Sequence, residues 1–306
     1  MRILIAGSTG FLGSHLVSSF EDSGFEVVCL TRGELDPLRN EILYDSFFDE
    51  LNKFESFDVC FHLAGCAHRD FSDKEVEHSD INLTKRLINA CSLNGVDRFV
   101  YVSTANINFD LSHFSTSEPI VRTSFSSNTT FGKYLSELYL LDYCKNKPIQ
   151  LSIVRLPLVY GPGVKANFAQ LIKLSKSNIA LPFKGFKHRR SYLSVYNFCD
   201  FMNHCILSDK VINRVVTISD LEKISFTRML DKLSYYNGSS LQQFFFPKII
   251  IKTLFNLLNR GGSYKAIERE LVLDSSHYLE SLEWVPKFTL DESLELMFSK
   301  ESNSND

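Results

Sequence analysis

The sequence is short of the features that mark several large classes of protein. Its seven Cys contain no Cys-x-x-Cys pair, and most lie inside apolar segments, among them Cys29, Cys60, Cys91 and Cys144. That argues against a zinc framework or disulfide scaffold and suits small buried thiols in a reducing, cytoplasmic setting. There is no His-Glu-x-x-His pair or carboxylate cluster, so no metal site is expected, and no Gly-x-Ser-x-Gly, so no serine hydrolase. A net charge of −3 gives no general attraction for nucleic acid or an anionic membrane. No apolar run is long enough to span a bilayer. The greasiest, "FFFPKIIIKTLFNLL" at 244–258, is broken by Pro247, Lys248 and Lys252. Phe246, Ile250, Leu254 and Leu257 recur in it at helical spacing, which predicts a core, lid or subunit-contact helix, with a membrane-surface helix as the alternative. Internal repeats and low-complexity segments are lacking. The opening "MRILIAG" reads directly as a strand, so no secretory leader is expected.

What is present is alternation. "RILIAG", "EVVCLT", "DVCFHLAG", "RFVYVST" and "IQLSIVRL" read as strands, and 11–23, 73–94 and 131–145 between them read as helices. This order predicts an α/β fold with a parallel sheet covered on both faces. Helix 73–94 should stop at Gly95. From about Gly161 the pattern loosens into turn-rich, basic loops, followed by helices near 196–207 and 224–236 with a short strand, "RVVTIS", between them. Residues 1–165 form the expected first domain. Residues 166–300 make a smaller lobe with some elements returning to the first, and 301–306 read as a flexible tail.

"IAGSTGFLG" follows the first strand and opens the first helix. Gly7 permits a tight turn, Gly10 lets the backbone approach a pyrophosphate, and Gly13 lets the helix pack close to the sheet. Phe11 and Leu12 complete the loop, whose amides and helix dipole face the phosphates. The expected fold is therefore Rossmann-type, a doubly wound sheet binding a dinucleotide. The acid usually found some 20 residues later is absent, and Thr31 and Arg32 stand there. A guanidinium can pair with a 2′-phosphate, so Arg32 leans toward NADP over NAD, although a solvated surface Arg would look the same.

Six segments in order resemble the extended short-chain dehydrogenase/reductases, in particular the NAD-dependent epimerase/dehydratase family of nucleotide-sugar epimerases and 4-keto-reductases. They are "AGSTGFLGSHL" at 6–16, "VCFHLAGCAH" at 59–68, "INLTKRLINACSLNGVDRFVYVST" at 81–104, "IVRLPLVYGPGVKANF" at 153–168, "RRSYLSVYNFCDF" at 189–201 and "LEWVPKFTLDESL" at 282–294. The resemblance implies that Leu63, Ala64 and Gly65 line the cofactor, that Asn82 braces the neighbouring helix and strand, and that Asp45 reaches the adenine. It implies that Asn167 and Arg190 hold the diphosphate of a UDP-linked sugar, and that Thr104 hydrogen-bonds the reacting sugar oxygen. It further implies a homodimer, for which the apolar residues of 131–145 (Leu135, Leu138, Leu141, Tyr143) leave room, though core packing explains them equally. The activity implied is UDP-hexose 4-epimerisation or 4-keto-sugar reduction, in the service of polysaccharide sugar synthesis.

One stretch departs from the pattern. Against the family's Tyr-Gly-x-Ser-Lys, "TFGKYLSE" places Phe131 for the Tyr and Leu135 for the Lys. A benzene ring transfers no proton and an isobutyl group carries no charge, and losing a positioned acid–base costs about 10²–10⁴-fold in rate. Lys133 and Tyr134 adjoin the vacant positions, and a shifted helix would bring the Tyr134 hydroxyl toward the sugar. His62 and His68 are conceivable bases, although a His at such a strand end is more often a satisfied core residue. The alternative to an enzyme is a catalytically silent module that binds dinucleotide and nucleotide sugar as a sensor or partner.

Overall fold

The computed structural model describes residues 1–65, 71–112, 120–177, 179–259, 261–274 and 280–303. His68 lies outside them. The chain divides into two units. The first comprises Met1–Pro157, Phe198–Ile218 and Ser276–Val285, and the second Leu158–Asn197, Ser219–Ser275 and Pro286–Asp306.

In chain order the first unit begins with β1 (Arg2–Ala6), α1 (Phe11–Asp22), β2 (Glu26–Thr31), β3 (Glu41–Leu43), α2 (Tyr44–Asp49) and β4 (Val59–His62). A helical run follows as α3 (Asp73–Val76), a π turn (Glu77–Asn82) and α4 (Leu83–Asn94). Then come β5 (Arg98–Thr104), α5 (Asn106–Leu111), α6 (Asn128–Cys144) and β6 (Gln150–Leu156). The chain continues with β7 (Leu158–Tyr160), α7 (Ala166–Ser175), β8 (Arg189–Ser194), α8 (Val195–Leu207), β9 (Arg214–Thr217), β10 (Lys223–Ser225) and α9 (Phe226–Tyr236). It closes with α10 (Lys248–Leu257), α11 (Gly261–Glu268) and α12 (Leu290–Asn303).

The first unit's sheet has seven strands in the order β3-β2-β1-β4-β5-β6-β9, all parallel. Strands buried on both faces read as near-continuous apolar runs, which is why β1, β2 and β5 were legible. β5 occupies the seven residues "RFVYVST". The order reverses between β1 and β4, and in such sheets ligands lie outside the carboxyl ends of the strands at that switch point. Side chains of β1, β2, β4, β5 and β6 form the core with Leu87, Ile88 and Cys91 of α4 and Leu140 of α6. Gly95 stops α4 in the left-handed region, with φ of 82°.

Two details differ from expectation. The helix read at 73–94 contains the π turn, where one extra residue is taken into the helix and every side chain after it is rotated by about 100°. Helix α6 begins at Asn128 rather than 131, because Ser127 caps it with an oxygen that accepts from the Thr130 amide at 3.1 Å.

The second unit carries a three-stranded sheet, β10-β8-β7, with β8 antiparallel to β10 and parallel to β7. Its core is aromatic: Tyr160, Phe168, Phe183, Phe186, Tyr192 and Phe226 pack with Met229, Leu230 and Leu233 of α9 and Leu294 and Met297 of α12. Helix α12 takes 301–303 into its last turn, where the sequence suggested a tail. Among the described residues no helix is long and apolar enough to cross a membrane.

Candidate functional site

The loop between β1 and α1 is built so that only glycine fits. Gly7 has φ of 94°, and a β-carbon there would meet the Ala64 amide nitrogen at 2.6 Å. A β-carbon on Gly13 would stand 2.1 Å from the Gly7 carbonyl oxygen. Thus Gly7 brings the turn against the end of β4 and Gly13 brings α1 against the turn. Gly10 takes the N-cap position with no side chain capping it, and α1 has no acid in its first turn. Its leading amides, other than those bonded within the loop, are left for an anion. Phe11 and Leu12 are half-buried at the helix start, and the Phe11 ring meets His15 edge to face. This cradle fits a dinucleotide pyrophosphate.

Next to it, Leu63 and Ala64 both donate their amides to the Ala6 carbonyl, at 2.8 and 2.9 Å, so the end of β4 is tied to the end of β1. Gly65 follows. A β-carbon there would lie 2.2 Å from Asp80 Oδ1 and 3.2 Å from Lys133 Nζ. A buried carboxylate and an ammonium therefore flank the same α-carbon. The ammonium also donates to the Val102 carbonyl at 3.1 Å and sits 4.9 Å from the centre of the Tyr101 ring.

This arrangement corrects two expectations. Asn82 does not brace helix and strand: it is exposed, and Asp80 is the buried residue. Asp80 and Asn82 both lie in the π turn, on different sides of the run. Nor is the place beside the glycine-rich β1–α1 loop without a cation. Lys133 and Leu135 lie about 200° apart on a helix, so only one of them can face the sheet. The inward face of α6 is Gly132, Ser136, Glu137, Leu140 and Cys144, and Lys133 shares it. Gly132 permits the approach of α3, as a β-carbon there would be 2.1 Å from Val76 Cγ1.

Phe131 and Tyr134 pack on a common neighbour, the Phe125 ring, with centroids 5.3 and 5.0 Å away. Thr104 ends β5 half-buried, its hydroxyl oxygen accepting from the Asn106 amide at 3.3 Å. His62 is fully buried, with Nε2 2.8 Å from Thr84 Oγ1. Thr84 gives its own proton to the Asp80 carbonyl at 2.6 Å, so His62 is the donor in that pair. Burial, and then the Lys133 charge, push the imidazole down to about 3. It is neutral and enclosed, a core histidine rather than a base.

Arg32 is exposed just past β2, near enough to Tyr44 for its charge to favour the phenolate against the stronger effect of burial. Asp45 lies in the first turn of α2 and is solvent-exposed, its carboxylate 3.8 Å from Arg86. In the second unit Asn167 is exposed in the first turn of α7, after Ala166 with φ of 54°. Arg190 lies in β8 opposite Ile224. Burial lowers its pKa, and the nearby Arg269 charge adds to that. Two guanidiniums near enough for their charges to interact are a candidate anion grip. Arg269 was missed in the sequence, where a single Arg in "ERELVLD" carries no spacing signal. Asp80 and Lys133 were missed as a pair because they are 53 positions apart and meet only through the sheet.

A family model for the NAD dependent epimerase/dehydratase family matches residues 3–218. A UDP-glucose 4-epimerase of Vibrio cholerae is 29% identical over 315 residues, covering 95% of this chain and 92% of that protein. A dTDP-D-glucose 4,6-dehydratase of Mus musculus is 28% identical over 185 residues, or 53% of this chain and 51% of that protein. Among solved structures, the UDP-glucose 4-epimerase of Thermotoga maritima with UDP-glucose has a TM-score of 0.73 at 20% identity, covering 100% of both chains. The UDP-glucuronic acid 4-epimerase of Bacillus cereus in complex with NAD has a TM-score of 0.73 at 21% identity, again over 100% of both chains. At such identities these structures share the fold. The chain belongs to the NAD dependent epimerase/dehydratase family.

Proposed function

We propose that this family member holds a nicotinamide dinucleotide at the β1–α1 loop and acts on a UDP-linked hexose, as a 4-epimerase or 4-keto-sugar reductase. The observation that carries the proposal is Lys133, whose ammonium and the Asp80 carboxylate flank Gly65 beside the cofactor loop. Bound at this loop, the cofactor supplies a reversible hydride acceptor. The amides of α1 hold its pyrophosphate, and Thr104 offers a hydroxyl to the sugar oxygen.

With Lys133 as the family's lysine, the residue four positions earlier is Thr129 rather than Phe131. An aliphatic hydroxyl there hydrogen-bonds as a phenol does but gives up its proton far less readily, so turnover is slow, by about 10²–10⁴-fold. In the second unit Arg190, with Arg269, grips the diphosphate, and Asn167 assists. Arg32, standing where a carboxylate would repel a 2′-phosphate, favours NADP over NAD. Leu138 and Leu141 of α6 are exposed and suit a homodimer contact. The setting is the cytoplasm, and the product a sugar donor for polysaccharide synthesis.

A silent binding module is the second reading. It is favoured by the packing of Phe131 and Tyr134 on Phe125, which engages both aromatic side chains of that turn. One experiment separates the two. The purified chain is titrated with NAD, NADP and UDP, then assayed for hydride exchange with UDP-glucose and UDP-galactose. Turnover above about a ten-thousandth of the usual 10 s⁻¹ supports the enzyme, and binding without turnover at that level supports the module. Absence of dinucleotide binding would overturn both.

A further inference from the structure

We infer that α10 and the residues just before it form a docking face for the surface of an anionic lipid bilayer. This goes beyond the proposed chemistry and does not depend on it. Helix α10 buries one residue fully, Ile251, at 2% exposure. The opposite side is bare: Ile249 is 74% exposed, Leu257 75% and Phe245 70%, with Ile250 and Leu254 also open. At about 100° per residue, Ile249, Ile250, Thr253, Leu254 and Leu257 fall within an arc of about 140°. A soluble helix normally turns such an arc inward. Here the core already lies on the other side, so the apolar arc faces out.

Charge points to the occupant. From Leu241 to Ile267 the sequence contains Lys248, Lys252, Arg260 and Lys265 and no Asp or Glu. On the wheel Lys248, Lys252 and Asn256 share an arc of about 80° between the buried and the bare faces. The Lys248 ammonium turns back over the buried Phe186 ring, 5.3 Å from its centre, whereas Lys252 is exposed and so placed reaches the headgroup level while its stem and the aliphatic arc enter the acyl boundary. Glu268 takes up part of the charge, at 3.2 Å from Lys248. Among the described residues Lys252 has no acidic partner.

A second copy of the chain suits this face less well. A two-fold contact sets a patch against itself, and the Lys252 ammonium, with no acidic partner among the described residues, is then set against its own image. A protein partner is also disfavoured by composition. The arc holds no Tyr, Trp or Arg, the residues that anchor protein interfaces, and Ile and Leu bring no hydrogen bond to fix an orientation. A fluid apolar layer needs none.

The full-length protein is sedimented with phosphatidylcholine vesicles and with vesicles of equal parts phosphatidylcholine and phosphatidylglycerol, at low and at high salt. It should partition onto the mixed vesicles, less so at high salt and little onto phosphatidylcholine alone. Ile249→Glu with Leu257→Glu should reduce the bound fraction at least tenfold without changing Tm or elution volume, since both side chains are exposed. Lys252→Ala should weaken binding about fivefold. Three results would overturn the inference. They are no partition onto the mixed vesicles, equal partition of the double variant, or a drop in oligomeric state caused by that variant, which would make the face a subunit contact.

Discussion

The buried Glu137 forms an ion pair with the half-buried Arg155, the guanidinium Nε 3.0 and 3.2 Å from the two carboxylate oxygens and Nη2 on Oε2. Glu137 is one helical turn after Lys133 on the same face of α6, and Arg155 is in β6. The Arg155 Nη1 also donates to Asn108 Oδ1, whose amide donates to Thr217 of β9 at 2.9 Å. The pair therefore fixes both the rotation and the height of α6 against the sheet, and with them the position of the Lys133 ammonium.

Removing one partner should leave a charge buried and unmatched. Glu137→Gln or Arg155→Met is expected to cost roughly 3–5 kcal/mol, on the order of 10 °C in Tm. Dinucleotide affinity should fall with it. Thermal unfolding and calorimetric titration check both, and an unchanged Tm would show that the pair does not hold the helix.

Lys133→Met should weaken dinucleotide binding about tenfold or more, while Leu135→Ala changes it little. The same contrast tests the spacing of the catalytic positions. Thr129→Tyr should raise hydride exchange, and Phe131→Tyr with Leu135→Lys should not. If only the second pair restores exchange, the helix presents Leu135 to the cofactor and the placement of Lys133 is mistaken.

Gly13→Ala puts a methyl group 2.1 Å from the Gly7 carbonyl oxygen, where backbone on both sides has nowhere to move. The expected result is loss of dinucleotide binding together with a destabilisation of about 1–3 kcal/mol. Gly24→Ala is the control for a glycine elsewhere, because no atom lies within 4 Å of its would-be β-carbon. Its φ of 79° strains Ala slightly, so a small fall in Tm with intact binding is expected there.

Asp220 is the polar hub of the second unit. Its carboxylate accepts from Tyr160 at 2.9 Å, from the Ser194 amide at 3.0 Å and from Asn197 at 2.7 Å. Burial outweighs these donors and raises its pKa to about 6. A carboxyl that is easier to protonate folded than unfolded adds stability as pH falls from about 7 toward 4, and this contribution is lost as pH rises through 6. His62, held down to about 3, acts in the opposite sense below its ordinary value. The informative quantity is the Tm of the parent minus that of Asp220→Asn, which should grow between pH 7 and 5. A constant difference would show that Asp220 does not titrate in this range.

Much of the first unit could be read from residue order because its signals are local. Apolar runs of strand length announced β1, β2 and β5, and three glycines placed a turn between strand and helix. The close approaches at Gly7 and Gly13 are consequences of that turn and were legible with it. Asn82 was misjudged because hydropathy marks neither the π turn that contains it nor which polar residue of that turn is buried, which is Asp80. Leu135 was misjudged because motif spacing alone does not say which face of α6 meets the sheet. Arg269 joined Arg190 without any spacing to announce it.

By itself the sequence determined that this is a doubly wound parallel sheet opening on a glycine-rich loop between its first strand and helix. Strand burial and glycine φ are properties of a residue and its nearest neighbours. The tertiary structure alone decided that an ammonium stands beside that loop, since Asp80, Lys133 and Gly65 come from three separate segments. Their meeting depends on how far each helix is rotated when it packs, and that rotation is set by contacts such as Glu137 with Arg155.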